Sequence, residues 1–480
     1  MGKSLIEEKG LKTLISEVHA EIKALYKNDD RPWVVGYSGG KDSTALVQLV
    51  FNALNELKVE EGTSAINKDV YIVTSDTLIE NPLIIDYLNS NFDKINASAS
   101  DLRITAHPCK AEYKDSFWTL LIGKGYPSPR QKFRWCTDRL KIRPIDNFIK
   151  DKIDAFGEVI VILGVRSEES ISRKRVIDSH RIDNRLLKKH TTLNNAFTYT
   201  PIEDFQLDDI WGYLLNVPNP WGADNLDLFR LYSDSQDSGE CPLQYDSNMP
   251  SCGNSRFGCW ACTVVQEDKS LTGFIKNGHK ELMPLLQFRN FIYEIRNQEH
   301  RRQNHRLDGS IYYLTLADGT KKQGLGPFTL ETRKEILSKL LNAQSKAEEI
   351  AAKLKHDVQL NLITYDELQL IRKHWIESGD WNDSLPQIYE THTGRKFASQ
   401  YDEREIFQIE DRHRLAAICE SKHIDVDIIK QLIQIENRNA GLKRRSNIMK
   451  DIASLLTKDW IHEEIIDSLE ELKEGIRHDH

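Results

Sequence analysis

Long apolar runs are missing from this 480-residue chain. No stretch reaches the ~18 apolar residues that a membrane-spanning helix needs, so no membrane partner is expected. No leader peptide is expected either. The opening MGKSLIEEKGLKTLISEVHAEIKALY sets acids among apolar residues at helical spacing, which reads as an amphipathic helix, and the expected location is the cytoplasm. Cysteine is scarce, with seven in all, which excludes a disulfide-built scaffold; thiols clustered in such a chain bind metal or do chemistry. Positive charge is not in excess either. The 65 Lys+Arg against 73 Asp+Glu leave a net charge of -8, so nucleic acid would have to be met by local basic surfaces or by other subunits. No internal repeat, low-complexity tract or Walker-type P-loop spacing is found.

What remains is an ordinary globular composition, 39% hydrophobic and 29% charged, long enough for several structural units around a large core. Four short apolar runs read as strands: Trp33 to Tyr37, Val70 to Thr74, Leu102 to Thr105 and Glu158 to Gly164. They alternate with helical patterns, one from Lys41 to about Leu57 and another opening at Asn81-Pro82. Continuously apolar strands are buried on both faces, so the expected fold is α/β, a doubly wound and mostly parallel sheet. Past about residue 205 the character changes. Residues 236–262 are rich in Gly, Ser, Asn and Cys, and a charged helix is expected from Thr329 to Lys355. The chain divides into an N-terminal helix (1–30), a nucleotide domain (31–225), a cysteine-rich segment (226–300) and a mainly helical C-terminal domain (301–480).

Ser38-Gly39-Gly40-Lys41-Asp42-Ser43 lies between a strand and a helix. Two glycines let a ligand approach the backbone, and the helix start offers free amides and a favourable dipole to phosphate. Lys41 adds a point charge, Ser38 and Ser43 add hydroxyls, and Asp42 suits a position near magnesium or a ribose. The loop resembles the PP-loop of the N-type ATP pyrophosphatases and of the phosphoadenylylsulfate reductase group, which share the adenine nucleotide α-hydrolase-like fold. That resemblance implies cleavage of ATP between its α and β phosphates. Further segments extend it: Asp76-Thr77 after the second strand, Trp135-Cys136-Thr137 followed by Leu140-Lys141 and Pro144, and Gly164-Val165-Arg166 followed by Glu169-Ser170 and Arg173. Gly164 and Arg166 are expected beside the nucleotide, and Arg166 and Arg173 at the carboxyl end of a strand suit phosphate. The competing reading pairs these arginines with Glu168 or Glu169.

Cys241, Cys252, Cys259 and Cys262 follow a C-x10-C-x6-C-x2-C spacing. Four thiolates fit tetrahedral zinc or a 4Fe–4S cluster. Zinc ribbons usually carry two C-x-x-C knuckles; the single pair here, with Trp260 embedded, leans towards iron–sulfur. The wording from Pro250 to Val265 resembles the DndC family, sulfurtransferases of bacterial DNA phosphorothioation. The resemblance implies a 4Fe–4S cluster, ATP with Mg2+, DNA as substrate, a cysteine desulfurase as sulfur donor and other subunits of a phosphorothioation complex. The catalytic set expected is Lys41, Asp42, Arg166, Arg173 and Cys136, the last with a thiol pKa lowered by nearby arginines. Lys124 to Arg143 holds seven basic residues against one acidic, with Tyr126, Phe133 and Trp135 interleaved, a pattern suited to nucleic acid. Weaker basic runs are Arg296 to Arg306 and Lys443 to Arg445. Cys419 reads as core.

Overall fold

The computed structural model describes residues 4–167, 186–190, 192–235, 257–308, 310–315, 319–356, 360–380, 382–398, 409–439 and 446–456. Arg173, Glu168, Glu169, Cys241, Cys252 and the run Lys443 to Arg445 lie outside them. The chain divides into two compact units. The first comprises Met1–Phe117, Pro129–Asn290 and Ala343–Leu362, and the second Trp118–Ser128, Phe291–Asn342 and Ile363–His480.

In the first unit the N-terminal pattern forms two helices, α1 (Leu5–Lys9) and α2 (Leu11–Lys27), separated by Gly10 at φ +81°. Leu14, Val18, Ile22 and Leu25 bury one face of α2. Ser4 Oγ donates to Asp209 Oδ1 at 2.5 Å, while Asp209 Oδ2 accepts from the Gln206 amide at 2.8 Å. One buried carboxylate thus ties the chain start to a later helix.

Six strands form the central sheet: β1 (Trp33–Gly36), β2 (Val70–Asp76), β3 (Ile104–Lys110), β4 (Val159–Ile162), β5 (Lys188–Lys189) and β6 (Ala196–Tyr199). Their order is β3-β2-β1-β4-β6-β5, parallel except for β5. Between the strands run α3 (Lys41–Glu61), α4 (Pro82–Ser98) and α5 (Arg143–Phe156), and beyond the sheet α6 (Leu207–Asn216), α7 (Asn225–Asp234), α8 (Lys269–Lys276) and α9 (Met283–Glu294). Asn81 caps α4 through its side chain with Pro82 in the first turn, as expected. Val34, Val35, Ile160 and Ile162 are all fully buried, and each such side chain contributes about 1.5–3 kcal/mol of burial. The third strand differs from expectation: Leu102 closes a 3-10 turn, and the strand begins at Ile104 after Arg103 reverses the chain in the left-handed region. Strand β6 was not foreseen, because Ala-Phe-Thr-Tyr has too short and mixed an apolar pattern to stand out.

The order in which successive strands are added to the sheet reverses between β1 and β4, which pair in parallel from Trp33↔Ile160 to Val35↔Ile162. A crevice opens at the carboxyl ends on either side of such a switch point, and ligands of open α/β sheets bind there. The loops after β1, β4 and β2 leave the sheet at that edge.

The second unit contains a hairpin, β7 (Tyr313–Thr315) with β8 (Lys321–Gln323), then α10 (Leu330–Leu354), α11 (Tyr365–Glu377), α12 (Ser384–Thr393), α13 (Ile409–Ser421), α14 (Val426–Asn439) and α15 (Ser446–Leu456). The last stretch of α10, from Ala343, belongs to the first unit. Buried Trp375 donates from its indole to the Ile122 carbonyl at 2.8 Å, and Arg333 donates to the Gly123 carbonyl at 2.6 Å. Burial pushes the Arg333 guanidinium down to about 10. Cys419 is buried, as expected. Among the described residues no helix is long and apolar enough to cross a membrane.

Candidate functional site

The loop after β1 is built by its own residues. Gly39 sits at φ +71°, and a Cβ there would meet Leu88 Cδ2 at 2.6 Å, so both conformation and space demand glycine. Ser43 Oγ accepts from the Ser38 amide at 3.1 Å and donates to the Gly40 carbonyl at 3.0 Å. Gly40 then starts α3, whose first amides have no intrahelical acceptor. The loop is therefore shaped around the helix end before any anion arrives.

The charges at this end form a chain. Lys41 and Arg166 are each only 4% exposed. Lys41 Nζ lies 3.1 Å from Asp42 Oδ2, and Arg166 Nε donates to Asp42 Oδ1 at 2.6 Å. Asp42 is thus a carboxylate held between two cations at the start of the helix. The Lys41 amide donates to Tyr232 Oη at 3.3 Å, and its ammonium lies 5.3 Å from the Tyr232 ring centroid. Gly164 packs against the same helix start: a Cβ there would be 3.1 Å from the Asp42 carbonyl oxygen. Residues from both sides of the switch point, Ser38 to Ser43 and Gly164 with Arg166, are thereby brought together. Arg166 pairs with Asp42; the glutamates of the competing reading, Glu168 and Glu169, lie outside the described residues.

Asp76 and Thr77 take up other partners. Asp76 accepts from the Leu78 amide at 2.9 Å, where Leu78 adopts φ +61°, and pairs with Lys110 at 3.0 Å. Thr77 is 1% exposed; its hydroxyl donates to Glu80 Oε1 at 2.8 Å and lies 3.4 Å from Cys259 Sγ. The loop after β2 thus meets the cysteine pair. Glu80 and Cys259 form an antiparallel bridge, and the Trp260 amide donates to the Ile79 carbonyl at 3.0 Å.

Cys259 and Cys262 are joined by a tight turn, with the Cys262 amide donating to the Cys259 carbonyl at 3.0 Å. Burial pushes the Cys259 thiol well above its ordinary range, and the Glu80 carboxylate adds to this. Lys141 answers the cluster. Its ammonium is 3.6 Å from Glu80 Oε1 and is held strongly protonated by Cys259 first, then by Glu80, Cys136 and Cys262. Lys141 sits on a wide π-type turn, Thr137–Ile142, directly after Cys136; such turns recur at functional sites. Cys136, 123 positions before Cys259 in the chain, acts on the same lysine as Cys259 and Cys262. Its thiol is pushed up, not down as expected: burial and the neighbouring Cys262 outweigh the pull of Lys141.

Arg289, on α9, is fully buried and holds the cysteine turn from behind. It donates to the carbonyls of Cys262 at 2.9 Å and Gln266 at 2.6 Å, and also to that of Val265. Sequence reasoning assigned no role to Arg289, Glu80 or Tyr232. None sits in a motif, and a lone charge or aromatic on a helix or loop carries no signal of its own. Lys141 lay inside a quoted motif, which was the one signal available.

Of the basic stretch, Arg139 pairs with Asp115 at 2.6 Å and Arg143 with Asp138 at 2.7 Å, while Trp135 is buried in a stack on Phe117. Arg130, Lys132, Phe133 and Arg134 are exposed on a tight turn closed by a bridge between Arg130 and Phe133.

Residues 32–265 match the family described as the phosphoadenosine phosphosulfate reductase domain. An uncharacterized protein of Methanocaldococcus jannaschii is 26% identical over 249 residues, covering 51% of this chain and 39% of that protein. The chain thus spans about two fifths of that relative's length. The crystal structure of Candida glabrata FMN adenylyltransferase in complex with FAD and inorganic pyrophosphate aligns over 52% of this chain and 71% of that one, at 15% identity and a TM-score of 0.30. Residues 32–265 are thus similar to the phosphoadenosine phosphosulfate reductase domain, over just under half of the chain.

Proposed function

We propose that the protein is an ATP-dependent sulfurtransferase acting on the DNA backbone. The observation that carries this reading is the coexistence, in one unit, of a preorganised PP-loop and, on the loop of the neighbouring strand, the Cys259–Cys262 turn with Glu80 and Lys141 beside it. A phosphodiester is a poor electrophile because its oxygens repel nucleophiles and none leaves readily. A non-bridging oxygen of DNA attacks the α-phosphorus of ATP, the bond to the β-phosphate breaks, and pyrophosphate departs. Sulfur at the sulfide level then attacks the DNA phosphorus, and AMP leaves with the original oxygen. Lys41, the amides opening α3 and Arg166 neutralise the phosphate charge that develops. Arg173 is proposed to share that task.

Cys259 and Cys262, with Cys136 beside them and Cys241 or Cys252 completing the set, would hold a 4Fe–4S cluster. The chemistry of the donors fits: a buried thiolate is costly until a metal neutralises it. When bound, such a cluster supplies a sulfur-rich, redox-active centre. Asp42 does not fit as a direct magnesium ligand, since its two oxygens engage Lys41 and Arg166; Mg2+ is proposed to arrive on the phosphates of ATP. DNA is proposed to meet the exposed turn Arg130 to Arg134, with a cysteine desulfurase and further subunits as partners.

The domain match favours one second reading, reduction of a sulfonucleotide. Pyrophosphate–ATP exchange by the anaerobically purified chain separates the two. Exchange that falls about 100- to 1,000-fold in Lys41→Ala is expected, in line with removal of one transition-state charge partner. Absence of exchange together with sulfite release from phosphoadenylylsulfate would establish the reductase instead.

A further inference from the structure

A second cluster of ligating side chains stands apart in sequence from the loop and the cysteines, and uses none of their residues. Glu281 is fully buried. Its Oε1 lies 2.9 Å from His279 Nδ1 and its Oε2 lies 3.1 Å from His356 Nδ1. The two imidazole rings are 5.6 Å apart between centroids, and all three donor atoms lie within 4.8 Å of one another. All three residues belong to the first unit.

A fully buried carboxylate needs a positive charge beside it. The side chains that face Glu281 are the imidazoles of His279 and His356. A divalent cation provides that charge. The two Nδ1 atoms face different oxygens of one carboxylate, so two imidazoles and a carboxylate converge, a donor set that zinc takes. Local backbone supports the same reading. His279 follows α8, with its amide donating to the Phe274 carbonyl at 3.0 Å, and His356 follows α10, with its amide donating to the Ala351 carbonyl at 3.0 Å. Both histidines thus come just after helix C-termini, whose dipoles favour cations. Phe274 packs edge-on to the His279 ring at 5.9 Å and, with Leu282, is fully buried, which keeps the Glu281 side of the cluster dry.

The geometry points to a mononuclear site for a zinc-like divalent transition metal, held by His279, Glu281 and His356. Three protein donors leave one tetrahedral position, and the partly exposed imidazoles leave it to water. Bound metal staples the turn after α8 to the end of α10. This inference is independent of the sulfurtransferase reading.

Cobalt(II) titration of the full chain tests it, because cobalt bound by nitrogen and oxygen gives visible ligand-field bands without the sulfur-to-metal charge transfer of a thiolate site. One equivalent with nitrogen–oxygen bands is expected. His356→Asn and Glu281→Gln should weaken it by at least the roughly 10- to 100-fold that altered second-shell partners cost, leaving any thiolate bands unchanged. Should Glu281→Gln fail to fold by circular dichroism, His279→Asn and His356→Asn decide the matter. Wild-type protein without nitrogen–oxygen bands, or variants that keep them at full affinity, would overturn the site.

Discussion

The loop after β1 and the loop after β2 leave neighbouring strands at the same edge of the sheet, yet they are organised in opposite ways. The first is shaped mostly by residues within five positions of one another: Ser38, Gly40 and Ser43 close it, and Lys41 and Asp42 charge it. The second gains its character only from distant segments, with Thr77 and Glu80 meeting Cys259 and Lys141. Local hydrogen bonding makes the first robust to changes elsewhere in the unit. The second depends on every segment that converges on it.

Substitutions can break this contrast from either side. The largest effect is expected for Arg289→Met, which strips the cysteine turn of its buried donor and leaves the Cys262, Val265 and Gln266 carbonyls unpaired. A loss of about 3–5 kcal/mol is expected. Thermal unfolding and metal content should both fall, while any fraction that folds should bind ATP with near-native affinity by calorimetry; an equal loss of ATP binding would mean that the two loops are coupled. Gly39→Ala attacks the other side. The positive φ costs about 1 kcal/mol or more, and the clash with Leu88 adds to it. ATP affinity should drop with metal content unchanged, and Leu88→Ala in the same chain should restore only the part due to the clash.

The smallest expected effect sharpens the electrostatics of the second loop. In metal-free protein, Glu80→Gln removes a negative charge that raises the Cys259 thiol, so the pKa falls and alkylation of that residue speeds up at pH 8. Lys141→Ala removes a cation that lowers it, so alkylation slows. Rates measured by mass spectrometry should move in these opposite directions; movement of both in the same direction would place the control in burial alone.

The same contrast explains what could be read without coordinates. The α/β class, the order of the first strands, the Asn81-Pro82 helix start and the PP-loop follow from contiguous residues, because periodicity, capping and glycine conformations act over a few positions. The short strand β6 did not, since a four-residue Ala-Phe-Thr-Tyr segment gains its stability from pairing with β4 rather than from its own pattern. The basic stretch was legible as composition only; the fold divided it into paired Arg139 and Arg143, buried Trp135, and an exposed turn from Arg130 to Arg134.

By itself the sequence singled out the short segments on which the proposed chemistry rests: a glycine-rich loop between a strand and a helix, two cysteines with two residues between them, and arginine after a buried strand. Only the tertiary structure decided that Arg166 holds Asp42, that Cys136 acts on the same lysine as Cys259 and Cys262, and that Glu281 lies between two histidines. The reason is physical: these pairings are electrostatic contacts across long chain separations, and they exist only once the sheet and its flanking helices have brought those segments together.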